Sequence, residues 1–159
     1  MKADHLNPFI QAVNDVFTTM FDTQSEKKSV FIKEDMVSSN EANVLLNVTG
    51  DLEGTILFGF PKKMTFEMIR NMSGMEMTEI NSFVASALGE VANIISGNAM
   101  TILHESDVVC DILPPKVMVG EYQTFSKKEE KIIALTMATD FGEFDLNLML
   151  EEQNERKSK

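Results

Sequence analysis

The sequence predicts an α+β domain in which helices pack on an antiparallel β-sheet. Apolar residues recur every three or four positions at the N-terminus and again over residues 63–104, which is the period of amphipathic helices. Apolar and polar residues alternate in the segments between and after these helices, as they do in half-buried strands. Runs of strands interrupted by a helical block are typical of this class. We expect a single domain at 1–150, with two long helices and one short helix on the sheet, and a polar, frayed tail at 151–159.

Length, composition and charge limit the kinds of protein this chain can be. Its 159 residues are 43% hydrophobic and 25% charged, which is enough to bury a core without disulfides, and Cys110 has no second cysteine to pair with. The net charge of -11 argues against nucleic-acid binding and against docking on anionic membranes. Since no apolar run approaches the ~18 residues of a spanning helix, we expect a cytoplasmic protein.

The first element is predicted to be a helix over residues 4–22. Its apolar residues cover a wide arc, which favours packing on a sheet, and Asn7 is expected to cap it with Pro8 in the first turn. His5 lies at its exposed start and offers little basis for a metal or catalytic site.

Three strands are predicted next, and they are expected to form an antiparallel meander. Period-two alternation begins near Val30, and the chain then provides turn residues over 47–51 between the second and third strands. The predicted strands cover residues 29–32, 43–48 and 54–60.

Two helices follow the third strand. Pro61 ends that strand and opens a short helix over 63–72, which Gly74 ends. The long helix is predicted over 78–104, with Thr78 as its cap.

The remaining chain is predicted to return to strands. Alternation is clearest in the last two segments, and Thr139-Asp140-Phe141-Gly142 is predicted to form the hairpin loop between them. The predicted strands cover residues 108–112, 116–122, 130–138 and 141–150.

The outer face of the long helix is the best functional lead in the chain. Exposed helix surfaces usually carry Lys, Glu, Arg and Gln, but this face carries small and uncharged residues with one carboxylate and one amide, and no Lys or Arg occurs between Arg70 and Lys116. Such a surface suggests that a partner approaches closely. Its residues, which we call the polar stripe, are Ser82, Ser86, Glu90, Asn93 and Gly97.

Common catalytic arrangements are not favoured by this sequence. The two histidines, His5 and His104, form no persuasive nucleophile-base pair, and no phosphate-binding glycine loop is present. A Glu and an Asn three residues apart can nevertheless act on an electrophile that a partner supplies. The amide can hold a water molecule in line with a phosphorus centre, and the carboxylate can pair with a nearby Lys.

The residues of the stripe carry a family resemblance. Ser86-Ala-Leu-Gly-Glu90-Val-Ala-Asn93, followed by Pro114-Pro115, resembles the signature of the CheC/CheX/FliY family of chemotaxis phosphatases. The first helix has Asn7, Gln11 and Asn14 at the corresponding spacing and lacks the carboxylate. The chain is therefore similar to the CheX-like members, which have one site per chain.

The resemblance implies a fold, an activity and roles for particular residues. It implies an antiparallel CheC/CheX-like sheet with helices, a homodimer, and dephosphorylation of a phosphorylated CheY-type receiver domain. Asn93 would position the attacking water, Glu90 would pair with the receiver's active-site Lys, and Mg²⁺ would belong to the receiver, with no cofactor of the chain's own. The small residues Ser86, Gly89 and Gly97 would admit the partner.

Two other readings remain open at this stage. Glu90 and Asn93 could be ordinary exposed helix residues on a non-catalytic receiver-binding or adaptor module of the same fold, and Ser86 could be a surface hydroxyl without a role. A small-molecule sensor would need a polar cluster between helix and sheet, which the sequence does not suggest. For the homodimer, the predicted strand 130–138 is a candidate edge for pairing between chains.

Overall fold

Three helices and nine strands are formed by the residues that the computed structural model describes, namely 3–38, 40–120, 122–125 and 131–153. In chain order they are α1 (Ala3–Phe21), β1 (Ser25–Lys33), β2 (Asp35–Ser38), β3 (Ala42–Gly50), β4 (Leu52–Phe60), α2 (Lys62–Ser73), α3 (Ser82–Glu105), β5 (Cys110–Ile112), β6 (Lys116–Val119), β7 (Tyr122–Phe125), β8 (Ile132–Thr139) and β9 (Gly142–Glu152).

Seven of the strands form one antiparallel sheet. Its order is β1-β8-β9-β4-β3-β5, and β6 pairs with β3 further along the same edge as β5. The strands β2 and β7 form a separate two-stranded sheet. The predicted α+β class, with an antiparallel sheet and three helices, is confirmed.

The core lies between one face of the large sheet and the helices α1 and α3, which also pack on each other. Alternate residues of the central strands point toward these helices because side chains of a strand alternate between its two faces. A smaller apolar cluster of Met36, Leu57 and Ile132 forms separately. The larger cluster includes Phe9, Val13, Phe17, Val44, Leu46, Ile56, Phe58, Leu88, Val91, Ile95, Leu146 and Leu148.

The predicted meander is wrong in one respect. The hairpin of β3 and β4 is present, but β1 pairs with β8 at the far side of the sheet. Alternation defines which face of a strand is buried and does not select its partner strand. As a consequence β8 is bonded to β1 and to β9, so the suggestion that this segment is a free edge is also wrong.

Two predicted helix starts also need correction. The helix α1 begins at Ala3, so Pro8 lies inside it and Asn7 is not its N-cap. Because Pro8 is near the start, its missing N–H removes only one early helical hydrogen bond. The helix α3 begins at Ser82 and is capped by Asn81, whose side-chain oxygen accepts a 3.0 Å hydrogen bond from the Val84 N–H, rather than by Thr78.

Other predicted boundaries agree more closely with the structure. The left-handed Gly74, at φ 73°, ends α2 as predicted, and Thr139 pairs with Gly142 across the predicted hairpin. The predicted strand 116–122 divides at Gly120, since β6 pairs with β3 in the large sheet and β7 belongs to the small sheet. The strand β9 continues through Glu152, past the predicted end at Leu150, and residues 154–159 of the predicted tail lie outside the described residues.

Candidate functional site

The helix α3 presents the polar stripe on the side that faces away from the core. Ser86 and Glu90 are exposed, while Asn93 and Gly97 are partly exposed. The opposite side of the helix buries its apolar residues completely, and this burial fixes the rotation of the helix about its axis. Those buried residues are Val84, Leu88, Val91, Ile95 and Ala99.

Glu90 and Asn93 lie one helical turn apart, so their Cβ atoms are separated by about 5–6 Å. Within the described part of the chain, neither side chain forms a hydrogen bond or an ion pair. Their carboxylate and amide are therefore directed at solvent, with their hydrogen-bonding capacity available to a partner or a water molecule.

Gly89 does not lie on the open face with them. It is buried, and a Cβ atom built at this position would lie 3.2 Å from Val117 Cγ2 and 3.8 Å from Pro115 Cγ. The close approach of α3 to the segment that enters β6 thus accounts for a glycine here without any partner. The contact also brings Pro115, which follows the Glu-Asn motif in sequence, next to the turn that carries Glu90. Val117 was not among the sequence-predicted site residues, because a valine in a strand gives no sign of which helix it will touch.

Gly97 has a different environment. No atom lies within 4 Å of a Cβ atom built there, so packing within the described chain does not require a glycine at this position. The space next to it continues into a groove of about 510 Å³ between the C-terminal half of α3 and β5. Met100, one turn further along, is 7% exposed and contributes to both the core and the groove.

The equivalent positions of α1 are used differently. Asn7 and Gln11 are exposed, but Asn14 Oδ1 accepts a 3.1 Å hydrogen bond from the Ser25 N–H. That bond ties the second half of α1 to the start of β1. Asn14 thus has a structural contact of a kind that Asn93 lacks, and α1 offers no carboxylate one turn before it.

The remaining titratable groups do not assemble into another centre. Among the described residues, no three His, Cys, Asp or Glu side chains lie close enough to hold a metal ion. His5 Nδ1 lies 3.8 Å from Glu152 Oε1 near the end of β9. Cys110 is buried, and burial is the main reason why the pKa of its thiol is raised. In the described part of the chain, no helix combines the length and apolar character needed to cross a membrane.

The chain matches a family model over most of its length. The model is that of the chemotaxis phosphatase CheX, and the match covers residues 42–138. The matched region runs from β3 into β8 and includes Glu90, Asn93 and Pro115.

Individual proteins support the same relationship. The CheY-P phosphatase CheX of Thermotoga maritima is 27% identical over 107 residues, which are 67% of this chain and 68% of that protein. The structure of CheX from Vibrio vulnificus is 26% identical with a TM-score of 0.84, and the alignment covers 94% of this chain and 100% of the other. A further match is a chain in the structure of a CheX complex with CheY, BeF₃⁻ and Mg²⁺ from Borrelia burgdorferi. That chain is 24% identical with a TM-score of 0.71, and the alignment covers 95% of this chain and 100% of the other. At this level of identity the match shows a shared fold.

Proposed function

The chain belongs to the CheX family of chemotaxis phosphatases, and from this we propose that it accelerates loss of the phosphoryl group from a phosphorylated CheY-type receiver domain. The observation that carries the proposal is the pair Glu90 and Asn93, which are open to solvent on a helix face of small residues and engaged by no other described side chain. An exposed pair of this kind can enter the partner's active site, so the complete catalytic site would form only when the two proteins dock.

Asn93 would act by positioning water. Its side-chain oxygen accepts a hydrogen bond from the water and its NH₂ group can donate one, which together orient the water in line with the phosphorus atom. The water oxygen then forms a bond to phosphorus as the bond from phosphorus to the receiver's aspartate oxygen breaks. The products are inorganic phosphate and a free aspartate, and no covalent intermediate forms on this chain.

Glu90 would fix the orientation of the two proteins. Its carboxylate would pair with the Lys beside the receiver's phosphorylation site, which places Asn93 one turn away over the phosphoryl group. Mg²⁺, which neutralises charge on phosphoryl oxygens, would be held by the receiver. The Borrelia burgdorferi complex, which contains CheY, BeF₃⁻ and Mg²⁺ together, supports this assignment because BeF₃⁻ is a chemical stand-in for a phosphoryl group.

The small residues of the stripe would have unequal parts in docking. Ser86 and Gly97 are accessible and keep the helix surface low on either side of the pair. Gly89 is buried, so it would assist docking indirectly, by holding α3 close to β6.

We also propose that the protein is a homodimer in the cytoplasm. Each chain of the dimer would carry its own site on α3. The strand β1 is a better candidate for pairing between chains than β8, because it is at the end of the strand order and exposes Phe31 and Ile32 by 53% and 65%. Unpaired backbone groups and apolar side chains on an edge strand favour association with another strand.

The decisive experiment measures phosphoryl loss from a panel of phosphorylated receivers with the wild type and Asn93→Ala. We expect the variant to stay folded, to bind receiver, and to lose at least 100-fold in turnover, since positioning effects of this size are common. Asn98→Ala is the matched control, because it is the same change on the same helix about 140° around the axis. A receiver that binds the wild type without any change in its phosphoryl lifetime would indicate an adaptor instead.

A further inference from the structure

The groove next to Gly97 has an apolar interior and a polar rim. Its least exposed lining side chains are Met100, Cys110 and Ile112, which belong to α3 and β5. Exposed residues line its opening, among them Thr101, Glu105, Asp111 and His104. The groove volume of about 510 Å³ exceeds what one side chain needs, so a long side chain of another protein could enter without rearrangement of the walls.

The charge at the opening of the groove is negative. Glu105 and Asp111 are carboxylates, and no Lys or Arg occurs in the sequence between Arg70 and Lys116. Within the described part of the chain, no Lys or Arg forms an ion pair with either carboxylate. The groove therefore complements a side chain with an apolar stem and a cationic end, which is the character of Lys and Arg.

The groove is continuous with the proposed catalytic face. At a rise of 1.5 Å per residue, Gly97 lies about 6 Å and Thr101 about 12 Å beyond Asn93 along the helix. A protein partner of ordinary interface size covers about 800 Å² on each side, which corresponds to a patch with a radius of about 16 Å. A receiver centred over Glu90 and Asn93 therefore covers the near end of the groove, at Gly97 and Thr101, while Glu105, about 18 Å beyond Asn93, lies at the margin of that patch.

We propose that this groove is a second docking subsite, which takes a Lys or Arg side chain from the surface of the same receiver. The inference rests on the proposed function and deepens it, because it assigns affinity and choice of receiver to the groove and the chemical step to Asn93. Receivers with a neutral or acidic side chain at the facing position would bind more weakly, since the two carboxylates would then have no cationic partner.

The test separates binding from turnover. A receiver loaded with BeF₃⁻ and Mg²⁺ is titrated into the wild type, Glu105→Lys/Asp111→Lys and Asn93→Ala, and KM and kcat for phosphoryl loss are measured with the phosphorylated form. We expect the double charge reversal to raise Kd and KM about 10-fold, with kcat within about twofold of the wild type. Asn93→Ala should show the opposite pattern, with kcat lost and Kd nearly unchanged.

Two further variants keep the result specific to the groove. Asp4→Lys/Asp15→Lys changes the net charge by the same amount on α1, at exposed positions, and should alter Kd much less. Thr101→Trp fills the groove without adding charge and should also raise Kd. Equal Kd values for the groove and control charge reversals, together with an unaffected Thr101→Trp, would overturn the subsite while leaving the proposed function intact. A wild type that neither binds nor dephosphorylates any receiver would overturn the proposed function, and the subsite with it.

Discussion

Gly89 on α3 is buried against Val117 on β6, at a distance where a Cβ atom on the glycine would lie only 3.2 Å from Val117 Cγ2. This separation is below ordinary van der Waals contact, so any side chain at position 89 requires the helix or the valine to move. Since Glu90 follows directly and Asn93 lies one turn later, the contact sets the height of both side chains above the sheet. A residue with no polar group is thereby linked to the geometry of the proposed site.

Gly89→Ala should lower turnover even though it favours the helix. Alanine has a higher helix propensity by about 1 kcal/mol, which offsets the cost of displacing Val117, so the free energy of unfolding should change by about 1 kcal/mol or less. A shift of a few tenths of an ångström at Glu90 and Asn93 should reduce kcat about 3- to 10-fold, because the rate of attack falls steeply when the water is displaced from its line with the phosphorus atom.

The partner variant Val117→Ala distinguishes a steric effect from a general one. It removes the atom that the new methyl group meets, so Gly89→Ala/Val117→Ala should recover most of the lost kcat. Gly97→Ala serves as the stability control, since nothing lies within 4 Å of its added methyl group; urea unfolding should show it to be more stable by about 0.5–1 kcal/mol. Strictly additive effects of the two changes on kcat would argue against the contact as the cause.

Glu90 should contribute to docking through its charge. Glu90→Gln keeps the shape and removes the charge, and we expect KM for the phosphorylated receiver to rise about 3- to 10-fold, while Glu90→Lys should raise it further through repulsion of the receiver's Lys. Stopped-flow measurement of phosphoryl loss across a range of receiver concentrations gives KM and kcat separately. The two charges can also be exchanged, by combining Glu90→Lys with a receiver whose Lys is replaced by Glu. This exchange should restore part of the binding. If binding is no stronger than with Glu90→Lys and the unchanged receiver, the two side chains do not pair directly.

The sequence was most informative about features that depend on residues close together in the chain, such as helix faces, helix caps and hairpin turns. The exposure of Ser86 and Glu90 followed from the 3.6-residue period of α3, and the class of the fold followed from the order of helical and alternating segments. The Thr139 to Gly142 hairpin and the Gly74 cap were also predictable, because turn and cap residues act over a few positions.

Contacts between distant segments were not predictable in the same way. Nothing in the sequence near Gly89 indicates that Val117 lies against it, since 27 intervening residues fold into most of α3 and a strand before the contact forms. The pairing of β1 with β8 was missed for the same reason, because an alternating strand fits any partner of suitable length. The groove beside Gly97 is likewise a product of two elements, α3 and β5, whose separation only the assembled sheet defines.

The edge strand β1 should hold the proposed homodimer together. Ile32→Lys places a charge at an apolar position that is 65% exposed in the isolated chain, so it should shift the protein toward monomer with little effect on the free energy of unfolding of each chain. Sedimentation equilibrium over a range of concentrations measures the change. Val119→Lys, at a position that is 62% exposed on β6, is the control, and equal dissociation by both variants would remove β1 as the specific interface.

Cys110 should be a slow nucleophile whose ionisation destabilises the fold at alkaline pH. Burial raises the pKa of its thiol above the ordinary value of 9.0, and the nearby negative charges of Asp51 and Asp111 raise it further, while the hydrogen bond from the Leu52 N–H to Sγ, at 3.3 Å, acts in the opposite direction. Because the pKa in the folded protein is higher, the contribution of this group to stability is fully present below pH 9 and is lost as pH rises through the folded pKa. The difference in free energy of unfolding between the wild type and Cys110→Ala should therefore be constant from pH 6 to 8. Above pH 9 it should shift so that the wild type becomes less stable relative to the variant.

The thiol of Cys110 should also react slowly in the folded protein. Reaction with a thiol reagent at pH 8 should be much slower in buffer than in urea. Asp111→Asn should speed the reaction of the folded protein, since it removes one of the charges that disfavour the thiolate. Equal labelling rates in buffer and urea would show that the thiol is not protected as the structure indicates.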